Sequence, residues 1–232
     1  MNLFKKFKAW FQLRRIDRLY EKGDYLDAYQ KHTDIRVDHD PRSAIGGDWD
    51  LLGELQYNFL KNEGLLPESN LLDIGMGTLR GGRFFIQYLE EGNYTGFDIS
   101  PKAVEYASNV VKKSDLKDKN PTLLLNENKD LEFTFLHDTF DFILAQSVFT
   151  HLFEEHIEEA FANLHKIMHI KSRFYFTIFL NDSYKVKNHK DVYYPISFFT
   201  DIASKYNFLL SDCSEGYKHP KGQKMLMVKP IN

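Results

Sequence analysis

Apolar residues recur along this chain in two alternating rhythms. Short apolar runs stand at LLDIG (71–75), YTGFDI (94–99), TLLLN (122–126), FDFILAQ (140–146), RFYFTIFL (173–180), FLLSD (208–212) and KMLMVK (224–229). Runs of this length, bounded by polar and turn residues, read as strands. Between most of them lie stretches of helical length with one apolar face, at 79–91, 101–113, 153–169 and 195–207. Strands that alternate with helices predict an α/β fold, a doubly wound sheet of seven strands. Only SEGYKHPKGQ separates the last two runs. A loop so rich in Gly, Pro and polar residues predicts an antiparallel hairpin at one end of the sheet.

Two segments precede the alternation. DWDLLGELQYNFLKNEGLL, after Gly46-Gly47, has helical periodicity, and MNLFKKFKAWFQLRRIDRLY places Leu3, Phe4, Phe7, Trp10 and Phe11 on one helical face with Lys and Arg largely opposite. The expected division is a basic amphipathic helical extension at 1–45 and a globular domain at 46–232. A basic amphipathic helix suits an anionic membrane surface, and it equally suits packing on its own domain or on a second subunit. The oligomeric state is not readable from it.

Charge sharpens this division. Residues 1–18 hold six Lys and Arg side chains against Asp17, a balance of +5, so with −3 for all 232 residues the remainder sums to −8. That balance disfavours wholesale nucleic-acid binding, and no basic stripe accompanies the aromatics. The single cysteine, Cys213, excludes an internal disulfide and fits a reducing compartment. No apolar run approaches the ~18–20 residues of a membrane span. The expected location is cytoplasmic, with peripheral contact of residues 1–20 on the inner membrane face as an option.

Candidate chemistry begins at NLLDIGMGTLRGGRF (70–84). Asp73 stands at the end of a buried strand, where an acid costs free energy unless a partner compensates it. Gly75 and Gly77 follow, and glycines there let the backbone turn and a ligand approach. In an open α/β sheet the ligand sits beyond the carboxyl ends of the strands. Asp98 closes the second strand, 21 residues after Gly77, where a carboxylate can accept from both hydroxyls of a ribose. These features suit a dinucleotide or an adenosyl cofactor. A dinucleotide fingerprint wants a glycine where Arg80 stands, although Gly81 allows a looser version. Asp73 would also repel a pyrophosphate, whereas it suits a sulfonium or an ammonium.

LLDIGMGTLRGG, YTGFDIS, LLLNENKDLEF and FDFILAQSVFTHL together resemble, in order and spacing, the nucleotide-binding motifs of class I S-adenosylmethionine-dependent methyltransferases, over about residues 50–229. The resemblance implies a Rossmann-like fold with S-adenosyl-L-methionine as cofactor and S-adenosyl-L-homocysteine as product. It places Asp73, Gly75, Met76 and Gly77 around the methionine moiety, Asp98 on the ribose and Ile99 on the adenine. It sets Glu127, beside Asn128, at the adenine amino group, and Gln146 and Ser147 at the border between methionine and substrate. Leu79 departs from the pattern, which often has a third glycine there.

For the acceptor, the motifs of adenine, glutamine and cytosine C5 methylation are absent, as is the aspartate that metal-dependent catechol-type enzymes carry after the fourth strand. No metal is expected. His151, five residues past Gln146, is the candidate base for a hydroxyl acceptor, the alternative being a histidine that packs at a helix start. His156 is expected on an exposed face. His165 and His169, four apart on the expected helix 153–169, have the spacing of two metal ligands but no third. Asp48 and Trp49 beside the Gly46-Gly47 turn, and His189, Tyr193 and Tyr194 after the fifth strand, are candidates for the substrate pocket, or else loop anchors. The expected function is metal-independent O-methylation of a small molecule or glycan. The alternatives are a cofactor-binding partner protein without turnover and an NAD(P)-dependent oxidoreductase.

Overall fold

The computed structural model describes residues 16, 18–21 and 23–231. The apolar face expected over residues 1–20 therefore falls mostly outside the described residues. The first described helix, α1 (Tyr25–His39), starts at Asp24, whose side chain accepts from the N–H groups of Leu26 and Asp27. A single turn, α2 (Pro41–Ala44), and α3 (Trp49–Asn62) lead to the sheet.

Strands β1 (Leu71–Ile74), β2 (Tyr94–Asp98), β3 (Thr122–Leu125), β4 (Phe140–Ala145) and β5 (Met168–Leu180) run parallel in the order β3-β2-β1-β4-β5. Helices α4 (Gly82–Tyr88), α5 (Pro101–Lys112), α6 (Glu154–Asn163) and α7 (Ile196–Lys205) connect them or follow them. The expected hairpin is present. β8 (Phe208–Asp212) pairs antiparallel with β9 (Lys224–Pro230), and β9 lies antiparallel on β5.

Two further strands exceed the expected seven. β5 is 13 residues long, and its last two, Phe179 and Leu180, pair with Tyr193 and Tyr194 of β7 (Asp191–Tyr194). β7 closes a small hairpin with β6 (Lys185–Lys187).

Alternation along the central strands fills both faces of the sheet, as a sheet covered on both sides requires. Leu72, Ile143, Ala145, Phe174 and Phe176 enter one apolar cluster with Ile157, Phe161 and Phe199. Leu71, Phe142, Leu144 and Tyr175 enter the other with Phe59, Phe85 and Ala107. Asp73 has the parity of Leu71 and faces the second cluster's side.

Two helices are shorter than their patterns. The segment 79–91 becomes helical only at Gly82, because Leu79 holds a left-handed backbone, φ +65°. The segment 153–169 stops at Asn163, after which a 3-10 turn and β5 take over. His165 and His169 thus share no helix, and His169 Nε2 lies 3.1 Å from Asp141.

Leu79 occupies the position of the missing glycine by accepting the glycine's backbone while burying its side chain completely. A left-handed non-glycine residue costs about 1–2 kcal/mol, here offset by burial. The expected result is an inversion of the usual ranking. Leu79→Ala loses about 3 kcal/mol of stability through the cavity it leaves. Leu79→Gly loses about 1 kcal/mol less, since glycine relieves the strain. Urea unfolding of both variants checks this.

Candidate functional site

The carboxyl ends of β1, β2 and β4 open into one cavity of about 610 Å³, within the ~300–1,000 Å³ typical of small-ligand sites. Its floor is the turn after β1. Gly75 (φ +69°) and Gly77 (φ +56°) hold left-handed backbone, and neither has room for a side chain. A Cβ on Gly77 would come within 2.9 Å of Ile45 Cγ2. Met76 lines the same floor, buried.

Asp98 ties this turn to β2. Its Oδ2 accepts the Gly77 N–H at 2.9 Å and its Oδ1 the Ser100 N–H at 2.8 Å. Burial raises its pKa to about 6, against the pull of those two N–H donors. Asp73 is buried beside it and accepts from Tyr94 Oη at 2.7 Å. Burial pushes its pKa to about 7, with the Tyr94 hydrogen bond opposing and the Asp98 charge adding. Two acids at one end of a buried cavity, both held above the usual carboxylate range, form a pole that favours a cation.

Ile99 lines the cavity, whereas Glu127 and Asn128 do not. Asn126 replaces them. Its amide donates to the Asp130 carbonyl and accepts from the Lys129 N–H, a tight turn that buries Asn126 and swings residues 127 and 128 outward, both exposed. Gln146 and Ser147 close β4 as expected and are cross-linked to the β8–β9 loop. Tyr217 Oη donates to Gln146 Oε1 at 2.6 Å, while Gln146 Nε2 and Ser147 Oγ both donate to Gln223 Oε1.

His151 sits on a 3-10 turn, Phe149–His151, and lines the cavity. Its Nδ1 lies 2.9 Å from the Lys190 carbonyl and 3.4 Å from Asp191 Oδ1. A carbonyl only accepts, so Nδ1 carries the proton and Nε2 keeps its lone pair. Burial, followed by the Lys190 charge, lowers the imidazole pKa to about 3, not the free value near 6.5. The ring is neutral at physiological pH. His156 is half-buried at the cavity rim rather than exposed, its Nδ1 accepting the Phe153 N–H.

The substrate-pocket candidates fare less well. Gly46 and Gly47 line the cavity, whereas Asp48 is exposed and Trp49 lies outside it, with Arg42 and Arg83 over its ring. Tyr194 is a core residue. It is fully buried, packs on Phe198 and Phe199, and donates to the Leu152 carbonyl. Tyr193 stacks on Phe179 at 4.8 Å, and His189, exposed at the β6–β7 turn, stacks on Tyr20; neither lines the cavity. Lys190 and Asp191, between them in sequence, do.

Two groups of lining residues escape the sequence reading. From α1 come Leu26, Tyr29, His32, Thr33 and Arg36, one helix face at three- and four-residue spacing. α1 is fixed there by Asp34, which accepts from Ser100 Oγ at 2.6 Å, by the Asp27–Lys129 ion pair and by Tyr25 Oη, which donates to the His151 carbonyl. That spacing is the signal that was present in the sequence. From the β8–β9 loop come His219, Lys221 and Gln223, for which no local pattern exists. Arg80 also lines the cavity, buried, with Nη1 donating to the Ile45 and Gly47 carbonyls; Arg80 Nε and His219 Nε2 are buried without a partner among the described residues. Among the described residues no group of three metal-ligating side chains converges, and no helix is long and apolar enough to cross a membrane.

Residues 72–174 match the family model for a methyltransferase domain. The chain is also similar to solved structures. Magnesium protoporphyrin IX methyltransferase from Synechocystis PCC 6803, with bound S-adenosylhomocysteine, superposes with TM-score 0.66 at 16% identity, covering 90% of this chain and 100% of that one. A glycopeptide N-methyltransferase complexed with S-adenosylmethionine gives 0.63 at 11% identity, covering 77% and 94%. An S-adenosylmethionine-dependent methyltransferase from Clostridium acetobutylicum gives 0.60 at 13%, covering 77% and 92%. The sheet is that of the class I fold, with its parallel core and antiparallel C-terminal pair.

Proposed function

We propose that this chain, whose residues 72–174 form a methyltransferase domain on the class I S-adenosylmethionine-dependent fold, moves the methyl group of that cofactor onto an oxygen of a small molecule or a glycan. The observation that carries the reading is the acidic pole of Asp73 and Asp98 at a glycine turn without side-chain room. Those residues fit an adenosyl cofactor with a cationic centre. Asp98, with Ile99 and Asn126, would hold the nucleoside, and Asp73 would face the charged end. Arg80 and His219 each offer an unpartnered buried N–H to a carboxylate. The cofactor supplies the electrophilic methyl on its sulfonium.

The protein's share is alignment and one proton. His151 Nε2 makes no hydrogen bond among the described residues, so its lone pair is open to an acceptor hydroxyl in the cavity. The Lys190 carbonyl fixes the tautomer, and Asp191 at 3.4 Å stabilises the imidazolium once the proton has moved. Gln146, Ser147 and Gln223 form a rigid polar wall beside it. The porphyrin and glycopeptide substrates named for the two relatives differ widely, in keeping with a fold that fixes the donor and leaves the acceptor to the pocket. Release of adenosylhomocysteine, followed chromatographically against pools of hydroxylated acceptors, tests the reading. Dependence on a pool supports it. No release with any pool favours a cofactor-binding partner without turnover.

The two acids predict a pH dependence. A cation prefers their carboxylate forms, so cofactor binding expels protons from groups that titrate near 7 and near 6. Affinity for adenosylhomocysteine, whose ammonium remains, is expected to fall at least about tenfold from pH 8 to pH 5.5, with Asp73→Asn flattening the profile. The protein alone shows the opposite sign. A carboxyl whose pKa is raised by folding stabilises the fold at low pH, and that contribution is lost as pH rises from about 4 through about 7. Calorimetric titrations and thermal melts at both pH values check the pair.

A further inference from the structure

The same cavity also carries a cluster of basic side chains. Arg36 from α1, Lys190 from the β6–β7 turn and Lys221 from the β8–β9 loop all line it, beside His151. Each comes from a segment outside the nucleotide motifs. The Lys190 side chain is only 23% exposed, and the carboxylate recorded beside it, Asp191 Oδ1, stands 3.9 Å away, too far for a hydrogen bond. Burial disfavours the Lys190 charge, Asp191 favours it, and Arg36 and Lys221 lie near enough to oppose it. Their other contacts are to neutral carbonyls: Arg36 Nη2 donates to Ser43 and Lys221 Nζ to Gly46. The remaining acids nearby are committed elsewhere, Asp34 to Ser100 and Glu159 to the Leu131 N–H. Three cations, with Lys190 and Arg36 half-buried and Lys221 exposed at the rim, share one carboxylate at 3.9 Å, which leaves net positive charge there.

We propose that the acceptor is an anion, and that Lys190, with Arg36 and Lys221, binds its carboxylate or phosphate group beside His151. The inference rests on the methyltransferase reading for the word acceptor, while the anion site itself does not. It gives the cavity a task for each kind of charge, with the cationic cofactor at Asp73 and Asp98 and the anionic acceptor at Lys190. It also gives His151 a task-dependent environment. An anion at Lys190 and Arg36 neutralises the charges that, after burial, hold the imidazole down, and so strengthens the base when the acceptor is in place.

The test uses the full chain saturated with adenosylhomocysteine, at constant ionic strength set with chloride. Inorganic phosphate and benzoate are titrated separately, by calorimetry and by thermal melt. Wild type is expected to respond to at least one. A response to phosphate alone assigns a phosphate, to benzoate alone a carboxylate, and to both an oxyanion of either kind. Lys190→Gln is expected to weaken the response about tenfold or more, as loss of a charge-assisted contact does, and Lys190→Arg to restore most of it. Arg36→Gln provides a second variant on another element. Adenosylhomocysteine affinity, measured alongside, reports folding and should stay within about threefold in the Lys190 variants. No response of wild type to either anion overturns the proposal, as does an equal response in wild type and Lys190→Gln. Absence of adenosylhomocysteine binding in wild type would instead sink the cofactor reading, with the anion titrations still interpretable.

Discussion

Asp98→Ala is expected to lower the affinity for S-adenosylhomocysteine about 100-fold or more. The carboxylate accepts two backbone N–H groups, from Gly77 and Ser100. Hydrogen bonds to a charged group contribute about 1.5–3 kcal/mol each, and every 1.4 kcal/mol is tenfold in affinity. The substitution removes the proposed ligand contact and at the same time frees the turn that shapes the floor. Asp98→Asn separates these effects, because its amide oxygen can still accept one N–H but it carries no charge. It should retain part of the affinity and lose the pH dependence that Asp98 contributes. Calorimetric titration of the three proteins decides. A loss of less than about threefold in Asp98→Ala would place the nucleoside elsewhere.

His151→Ala should lower kcat by about 10²–10⁴-fold, the range for a positioned base, while adenosylhomocysteine affinity changes by less than about threefold. Binding and turnover are expected to part company because His151 stands on the turn after β4, whereas Asp73 and Asp98 lie at the ends of β1 and β2. Its backbone carbonyl still accepts from Tyr25 Oη in the variant, so α1 stays in place. Asp191→Asn provides the companion measurement. It keeps the side-chain volume and the Lys190 carbonyl contact but withdraws the charge 3.4 Å from Nδ1. It should therefore lower kcat by a smaller factor and leave KM for the cofactor unchanged. The acid limb of kcat/KM for the cofactor is expected to follow Asp73 in the free protein, near pH 7, because His151 without ligand is neutral down to about pH 3.

The acidic end of the cavity was legible in the sequence because it is local. Asp73, Gly75, Gly77 and Asp98 lie in two strand ends and the turn they share, so spacing brings them together, and the resemblance added Met76. The β8–β9 hairpin was legible for the same reason. Failures came where side-chain direction depends on one backbone angle. Glu127 was expected inward, but Lys129 takes φ +60° and Asn126 closes the turn, so the inward residue is 126. In Asp191–Tyr194 the strand alternates, with Val192 and Tyr194 buried and Asp191 and Tyr193 on the other face. Applying period two to that segment would have removed Tyr194 from the pocket and put Asp191 into it. The short β6–β7 pair went unseen, since Lys185–Lys187 has no apolar side to advertise a strand.

The rest of the cavity lining was not legible because it is assembled across long distances. Tyr29 and Arg36 meet His151 and Lys190 only once α1 has docked through Asp34, Asp27 and Tyr25. The periodicity of α1 predicts a face, yet nothing in the sequence says what that face covers. Lys221 and Gln223 belong to a loop whose composition signals only a turn. Leu79 is a different case, a residue type that local rules disfavour at that backbone angle and that complete burial there retains. Sequence rules fail at such a position because tertiary packing outweighs a local cost of about 1–2 kcal/mol.

The central claim is that the glycine turn and its two acids hold an adenosyl cofactor. Calorimetric titration of the wild-type chain with S-adenosylhomocysteine at pH 8, with NAD and NADP as parallel titrants, tests it most directly. The account predicts saturable adenosylhomocysteine binding at micromolar concentration and no heat from either dinucleotide. Saturable dinucleotide binding without an adenosylhomocysteine response would contradict it.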